Sequence, residues 1–154
     1  MPKATQLTLS HQNRPGMLVD IARVLGDAQV NIHACLTTTS GSEGLTQLIV
    51  DNANEAKKAF ASAGLGYTEA AVLHVELPNR PGALAKFAGK LAEANINITS
   101  GYATGSTGSR KTSMVLAVSD SEKAAGIQQG VRTNAGLWAT IPGNRPGIGA
   151  RFAQ

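Results

Sequence analysis

The chain has 154 residues, of which 42% are hydrophobic and 16% are charged, and its net charge is +4 at pH 7. This composition is typical of a folded globular protein and excludes an intrinsically disordered one. The basic balance would suit an acidic partner, but the only basic doublets are Lys57-Lys58 and Arg110-Lys111. Because nucleic-acid binders cluster Lys and Arg on one face, no nucleic-acid partner is predicted.

Targeting signals and cysteine usage point to one compartment. No apolar run reaches the roughly 18 residues of a membrane-spanning helix, and the first ten residues lack the apolar core of a signal peptide. The single cysteine, Cys35, excludes an internal disulfide and is typical of a reducing compartment. We interpret Cys35 as a small core residue, and we expect a cytoplasmic protein without a membrane partner.

The first predicted elements are a strand and a helix. Alternation of Leu7 and Leu9 with polar residues predicts a half-buried strand. Pro15 suits the first turn of a helix because its φ is already helical. The next apolar residues lie at helical spacing and predict a single buried face; they are Leu18, Ile21, Ala22 and Leu25.

The rest of this unit follows in the order strand, strand, helix, strand. Strands from Val30 and from Leu45 flank the Gly- and Ser-rich loop 40–44. Asn52 or Asn54 is predicted to cap a helix over 55–63, which Gly64 would end, and 67–73 would form the last strand.

The same unit is then written again. The stretch from Asn13-Arg14-Pro15-Gly16 to Asn31-Ile32 recurs as Asn79-Arg80-Pro81-Gly82 to Asn97-Ile98, a period of 66 residues between positions 13 and 79. A period of that length indicates a small domain rather than a solenoid repeat. The helix residues recur as Leu84, Phe87, Ala88 and Leu91. The second copy predicts strands at 72–77, 96–103, 111–118 and 137–141 and helices at 81–94 and 121–131.

The predicted fold class is α+β. Each copy forms a ferredoxin-like βαββαβ unit, an antiparallel four-stranded sheet with two helices on one face and the other face open. We predict domains at 1–70 and 71–141. The tail 142–154 resembles the start of a third repeat, since 144–153 repeats much of 79–88. Residues 66–77 must supply one strand to each unit, an extended run of roughly 36 Å that couples the units rigidly.

Several polar groups are predicted to meet beside the first helix. His11 ends the first strand, Asn13 and Gly16 lie in the turn that follows, and Asn31 begins the neighbouring strand. The amides of Gly16, Met17 and Leu18 would be unpaired at the positive end of the helix and suit a carboxylate. Asn31 would accept from an ammonium group, and Asn13 would bind either group. A free amino acid meets these demands.

These residues resemble the ACT domain family, whose members are regulatory βαββαβ modules that bind amino acids at domain interfaces. The first copy is similar to the serine-sensing domain of phosphoglycerate dehydrogenase, and the resemblance implies that His11, Asn13 and Asn31 contact the effector. The second copy keeps its equivalents at Asn79, Gly82, Ala83, Leu84 and Asn97, but Leu77 replaces His11. The tandem arrangement also resembles small ACT-only regulators related to the glycine cleavage repressor.

The resemblance implies a non-enzymatic regulator that binds a small polar amino acid, such as serine or glycine, and acts on a target enzyme or regulator. The open sheet edges favour self-association and predict a homodimer. No cofactor is expected, and His33 and His74 have no partner at metal-ligand spacing. The sequence shows no catalytic pair, and the glycine-rich stretch 101–108 does not end as a phosphate loop does.

Two other interpretations of the same residues remain. Asn-Arg-Pro-Gly is also a good strand-to-helix turn without any ligand. An RNA-binding or protein-interaction module on the same fold is the alternative function, although the predicted third strands, 45–50 and 113–118, carry no aromatic residue for base stacking.

Overall fold

The computed structural model describes residues 3–129 and contains two ferredoxin-like units of the α+β class joined in one antiparallel sheet. The sheet order is β2-β3-β1-β4-β6-β5. The elements are β1 (Lys3–Gln12), α1 (Met17–Asp27), β2 (Ile32–Ser40), β3 (Glu43–Val50), α2 (Ala53–Ser62), β4 (Thr68–Pro78), α3 (Ala83–Glu93), β5 (Ile98–Thr104), β6 (Lys111–Val118) and α4 (Ser121–Gln129). The strand predicted at 137–141 and the tail 142–154 lie outside the described residues.

One strand, β4, belongs to both units. Its first half, from Thr68 to Leu73, pairs with β1, and its second half, from Leu73 to Pro78, pairs with β6 on the other edge. The predicted single extended run is therefore confirmed. The domain boundary that was predicted after residue 70 falls inside this strand.

Each unit has its own helix-side core, built from alternate strand residues and helix residues four apart. In the first unit, Leu7 and Leu9 of β1 pack against Ile21 and Leu25 of α1 and Phe60 of α2. In the second unit the corresponding core residues are Leu73, Val75, Leu77, Phe87 and Leu91. All four helices thus cover one face of the sheet.

Helix α1 begins later than predicted, and this changes which residues are buried. Pro15 lies outside the helix, in a turn, and Met17 is its first residue. Met17, Ile21 and Leu25 form the buried stripe, whereas Leu18 is 47% exposed. Leu84 is exposed in the same way at 48%. The prediction that both leucines face the core was wrong, because the stripe starts one residue earlier.

Helix α2 agrees with its predicted cap. The Asn52 side chain accepts a hydrogen bond from the Glu55 N–H at 3.1 Å, and Gly64 adopts a φ of 71° just beyond the last turn. These are the usual ways of satisfying a helix N-terminus and of leaving a helix C-terminus.

The face opposite the helices is partly covered where the two units meet. Ala34 and Ile49 of the first unit form a buried cluster with Val72 and with Val115 of the second. The Tyr102 hydroxyl on β5 donates to Gln6 Oε1 on β1 at 3.1 Å, although β4 and β6 lie between these strands. A flat sheet would separate them by about 14 Å, so the sheet must curve towards this face. The expectation that this face stays open was therefore wrong in part.

Substitution of Leu73 by Ala should destabilise both units together. Leu73 is fully buried and is opposite Lys3 on one edge and Leu116 on the other. Loss of a buried leucine side chain should lower the free energy of unfolding by about 2–5 kcal/mol. Urea denaturation followed by circular dichroism, with amide exchange in β1 and β6, measures this effect.

The matched control is Leu45→Ala, which removes a leucine that is 37% exposed and should cost less than about 1 kcal/mol. Two separated transitions in the Leu73 variant, with only one of them shifted, would show that the shared strand does not couple the units.

Candidate functional site

At the end of β1, both ring nitrogens of His11 lie within hydrogen-bond distance of other groups in the chain. His11 Nδ1 lies 2.9 Å from the Gln12 carbonyl oxygen, which can only accept, so Nδ1 carries a proton. Nε2 lies 2.8 Å from the hydroxyl of the fully buried Thr46, and Thr37 Oγ1 lies 3.0 Å further on. Both ring nitrogens are therefore occupied within the chain, which favours a positioning role for His11.

The imidazole also lies against Gly44, its partner in the register of β1 and β3. A Cβ on Gly44 would come within 2.6 Å of His11 Nδ1 and still closer to Cε1. Only a residue without a side chain lets the ring occupy this position. Gly44 and Thr46 were missed by the sequence analysis, because Gly44 was interpreted as a loop residue and cross-strand register is not visible in one sequence.

The segment Arg14-Pro15-Gly16-Met17 forms a type II turn. Gly16 has φ 91° and ψ −13°, and the Met17 N–H donates to the Arg14 carbonyl at 3.4 Å. Pro at the second position and Gly at the third are what this turn requires. The turn by itself therefore explains Pro15 and Gly16, as the alternative interpretation held.

The turn nevertheless leaves donors at the start of α1. The Met17 amide has a partner, but within residues 3–129 the amides of Gly16 and Leu18 make no hydrogen bond, and no side chain caps this helix. The helix dipole adds partial positive charge at this point. These two amides can donate to a carboxylate without breaking an existing bond.

Asn13 ties the turn to the β2–β3 hairpin. Its Nδ2 donates to the Gly41 carbonyl at 3.0 Å, and its backbone N–H donates to the Ser42 carbonyl at 2.8 Å. Oδ1 makes no hydrogen bond within the described residues and remains for a ligand. The bond to Gly41 uses one of the two Nδ2 hydrogens, so Asn13 can accept from an ammonium group through Oδ1 and can also donate its second N–H to a carboxylate.

Asn31 lies at the other end of the sheet from Asn13. Its N–H donates to Asp51 Oδ1 at 3.0 Å, and its carbonyl accepts from the Asp51 N–H. Gln12, in contrast, is opposite Glu43 at the start of β3. The nine residues of β2 separate the two positions by about 30 Å. The prediction that both asparagines line a single notch in one unit was wrong, because the helix returns the chain to the start of β1 before β2 begins.

The second copy repeats the turn but not the histidine network. Asn79 Nδ2 donates to the Ser109 carbonyl at 2.8 Å, and Gly82, with φ 83°, precedes Ala83 and the exposed Leu84. Asn97 is again remote, with its N–H bonded to Ser119 Oγ at 3.0 Å. The positions of His11, Gly44 and Thr46 are taken by Leu77, Thr112 and Met114. The two copies are therefore inequivalent at this point.

A cavity of about 250 Å³ opens beside His11 on the helix side of the sheet. Polar and apolar groups line it about equally; the apolar side chains are Leu9, Met17, Ile21 and Leu65, and the polar ones are Ser10, His11, Gln12 and Arg14. Arg14 Nη2 is 3.2 Å from Asp20 Oδ2, and both side chains are about half exposed. An exposed pair of this kind contributes little to stability, so Arg14 is available to an anionic ligand.

A second polar cluster lies where the open faces of the units meet. Burial raises the pKa of Tyr102 to about 12, with a smaller contribution from the Cys35 thiol. Burial and, after it, the nearby His33 lower the pKa of His74, which Glu76 opposes. His74 Nε2 lies 2.5 Å from Ser113 Oγ. Neither histidine was assigned a role from the sequence, and Cys35 proves to be exposed on β2 rather than buried.

Replacement of Gly44 by Ala should expel the imidazole of His11 from its network. The new methyl group would overlap the ring, and overpacking of this kind typically costs about 1–3 kcal/mol. The free energy of unfolding and the ¹⁵N shifts of the His11 ring report the effect. Gly26→Ala in α1 is the control, because nothing lies within 4 Å of the added Cβ and the change should stabilise by about 0.5–1 kcal/mol. An unchanged His11 spectrum in the Gly44 variant would contradict the packing argument.

Acid should weaken the wild-type fold through His74. The pKa of His74 is lower in the folded chain than its ordinary value of 6.5, so the unfolded chain binds the proton more readily. The contribution of neutral His74 to the free energy of unfolding is therefore complete above pH 6.5 and is lost as the pH falls from 6.5 towards the folded-state pKa. In His74→Gln the loss of stability between pH 7.5 and 5 should be smaller, as measured by urea unfolding across that range. An equally steep loss in the variant would assign the acid sensitivity to other groups.

Comparison with known proteins identifies the fold. The ACT domain family model matches residues 5–59 and 71–129. Protein BT0572 from Bacteroides thetaiotaomicron is 25% identical, with a TM-score of 0.77 over 83% of this chain and 88% of that one. The ligand-free regulatory subunit of aspartate kinase from Thermus thermophilus is 18% identical, with a TM-score of 0.61 over 83% and 89%.

A third structure, the regulatory subunit of aspartate kinase from Thermus flavus, is 16% identical with a TM-score of 0.56 over 84% of this chain and 90% of that one. No curated protein shows significant similarity to the sequence. None of the helices in the described part of the chain has the length and apolar character needed to cross a membrane. Because the family model covers both units and well over half of the chain, this protein belongs to the ACT domain family.

Proposed function

We propose that this protein is a non-enzymatic regulator that binds a small polar amino acid, such as serine or glycine, at interfaces between ACT units of two chains. The observation that carries the proposal is the pair of unbonded amides at Gly16 and Leu18, beside the carboxamide oxygen of Asn13. Donors for a carboxylate and an acceptor for an ammonium group therefore lie at one turn.

A second chain is needed to bring Asn31 to this turn. β2 is one of the two outer strands of the described sheet, and only its β3 edge is paired among residues 3–129. An edge of this kind is suited to pairing with another strand. Antiparallel pairing of two copies of β2 about its midpoint, Leu36, would put the partner's Asn31 beside Gly41. Gly41 is the residue whose carbonyl holds the Asn13 side chain.

The same argument disfavours a site between the two units of one chain. β4 runs in one direction through both units, so the turn at Asn13 lies beyond its first residue, Thr68, and the turn at Asn79 follows its last residue, Pro78. The eleven residues of β4 separate these levels by about 36 Å. A ligand that contacts two turns, or one turn and a distant asparagine, therefore needs a second chain. A homodimer with two-fold symmetry brings such contacts together at two equivalent sites.

In the proposed site each group has one role. The amides of Gly16 and Leu18 bind the carboxylate, and Asn13 Oδ1 and the partner's Asn31 bind the ammonium group. His11 holds Gly44 and Thr46 in register below the turn, and Met17 anchors α1. The second copy offers Asn79, Gly82, Ala83, Leu84 and Asn97 at a weaker site, because Leu77 lacks the histidine's hydrogen bonds.

Ligand binding would favour one arrangement of the two chains over another, and its effect is limited to its differential affinity for them. A target enzyme or regulator would respond to that arrangement in the cytoplasm. The alternative, an RNA-binding or protein-interaction module, is disfavoured by the open face, where Ile49, Val72 and Val115 are already buried between the units.

Serine or glycine at about 100 times its dissociation constant should raise the free energy of unfolding by about 2.7 kcal/mol. For a chain of this size that corresponds to roughly 5–10 °C in melting temperature, which a thermal-shift screen of the twenty amino acids detects. Asn13→Ala and Asn31→Ala should each abolish the shift. Asn54→Ala, on the exposed surface of α2, is the control and should retain it.

Mixing the two inactive variants distinguishes a shared site from a single-chain site. In a mixed dimer of Asn13→Ala and Asn31→Ala chains, one site combines both altered residues and the other combines both native ones. Half of the binding capacity per mixed dimer should therefore return after co-refolding, as measured by calorimetry. No recovery in a mixed dimer would place both asparagines in one chain's site or remove them from the site altogether.

A further inference from the structure

The hairpin between β5 and β6 differs from its counterpart in the first unit. β2 and β3 are joined by two residues, Gly41 and Ser42, whereas residues 105–110 join β5 to β6. The longer loop has the sequence Gly-Ser-Thr-Gly-Ser-Arg and is followed by Lys111. We propose that this loop binds the phosphate group of a small polar molecule, at a site separate from the amino-acid turn of the first unit.

The loop is anchored at its base and unbonded at its tip. Asn79 holds the base through the carbonyls of Ser109 and Arg110. At the tip, the Ser109 N–H donates to the Ser106 carbonyl at 3.0 Å, and Gly108 has φ 84°. Within residues 3–129 the amides of Thr107 and Gly108 make no hydrogen bond. Successive free amides in a turn with a left-handed residue form a concave arrangement that suits an anion.

Below the tip, a groove of about 720 Å³ runs along the loop and the open face of the sheet. Four hydroxyl groups and two cationic side chains border it, namely Thr104, Ser106, Ser109, Ser113, Arg110 and Lys111. Hydroxyl, amide and guanidinium donors are the groups that bind phosphate oxygens in proteins. The groove therefore supplies more donors than the short hairpin of the first unit can.

The charges in the groove are available to a ligand. The Arg110 guanidinium has no partner within the described residues. Lys111 Nζ lies 2.9 Å from Glu76 Oε2, but the two side chains are 69% and 64% exposed. Such an exposed pair contributes little, so Lys111 can exchange Glu76 for a phosphate at low cost. Glu76 also borders the groove and its carboxylate should repel a phosphate, which limits the affinity.

The lining also indicates what carries the phosphate. None of the groove residues is aromatic, so no side chain there can stack on a nucleobase. Hydroxyl groups line the rest of the groove and suit a ligand whose remaining part carries hydroxyl groups. The occupant is therefore inorganic phosphate or a small phosphate ester such as glycerol 3-phosphate, rather than a nucleotide.

Titration of the ¹⁵N-labelled full chain with glycerol 3-phosphate tests the proposal. The amides of 105–110 should shift saturably, and glycerol should have no effect. Arg110→Gln should weaken binding about tenfold, as expected for loss of one charge-assisted contact, and Glu76→Gln should strengthen it. Arg23→Gln removes an equal charge from the exposed side of α1 and should leave binding unchanged.

Inorganic phosphate as a second probe distinguishes the two sources of the group. Tighter binding of the ester assigns the site to phosphate esters, and equal affinity assigns it to free phosphate. The proposal is overturned if the loop amides do not shift with either probe, or if Arg23→Gln weakens binding as much as Arg110→Gln. Asn13→Ala should not alter the titration, so failure of the amino-acid site and failure of this site are distinguishable.

Discussion

The structure depends on the hydrogen bonding of β4 along two opposite edges. Its first half completes the sheet of one unit and its second half begins the sheet of the other, and Leu73 is paired on both sides. A strand used in this way leaves no linker between the units. Each core is small, but loss of one would remove half of the backbone partners of β4, so the two cores stabilise one another. The ion pair between Lys3 of β1 and Glu122 of α4 adds a further direct link between the units.

The shared strand also fixes where ligand sites can lie. Because the chain passes straight through both units, the repeated Asn-Arg-Pro-Gly turns lie far apart, and each asparagine of a pair is remote from the other. Within residues 3–129, duplication inside one chain therefore does not bring the two turns together. What the fold supplies instead is a pair of outer strands, β2 and β5, at the two sides of the described sheet. Association through an outer strand is the simplest way to bring the separated polar groups together.

Much of the fold was predictable because its signals are local. The repeat, the alternation of Leu7 and Leu9 and the Asn52 cap each depend on residues a few positions apart, and the run through 66–77 left room for only one strand. Exposure of Leu18 was not predictable in this way, since it depends on a shift of one residue in the helix start. The closeness of His11 to Gly44 and Thr46 was also hidden, because they are 33 and 35 positions away and only strand register unites them.

Asn13 shows why a residue pattern alone could not decide between a turn and a ligand site. Its side chain ties the turn to the hairpin, and Asn79 does the same in the second copy, so a structural duty alone accounts for this asparagine. Yet that duty uses one N–H of each carboxamide and leaves the amides of Gly16 and Leu18 unbonded within residues 3–129. A turn held rigidly by its own asparagine presents those amides in a fixed geometry, which lowers the entropic cost of binding. The structural and the ligand-binding interpretations are therefore complementary.

The two copies have diverged most at the hairpin that this asparagine holds. In the first unit Asn13 donates a hydrogen bond to the two-residue β2–β3 turn, and the His11 ring packs against Gly44 beneath it. In the second unit Asn79 donates a hydrogen bond to the base of a six-residue loop. Leu77 and Met114, which belong to the hydrophobic core, take the places of His11 and Thr46. Leu77 and Met114 form an apolar contact below the turn, so no imidazole ring packs against this hairpin. The loop above them can therefore be longer and can contain serine, glycine and arginine. The same anchor thus supports two different surfaces, and the divergence favours a different ligand at the longer loop.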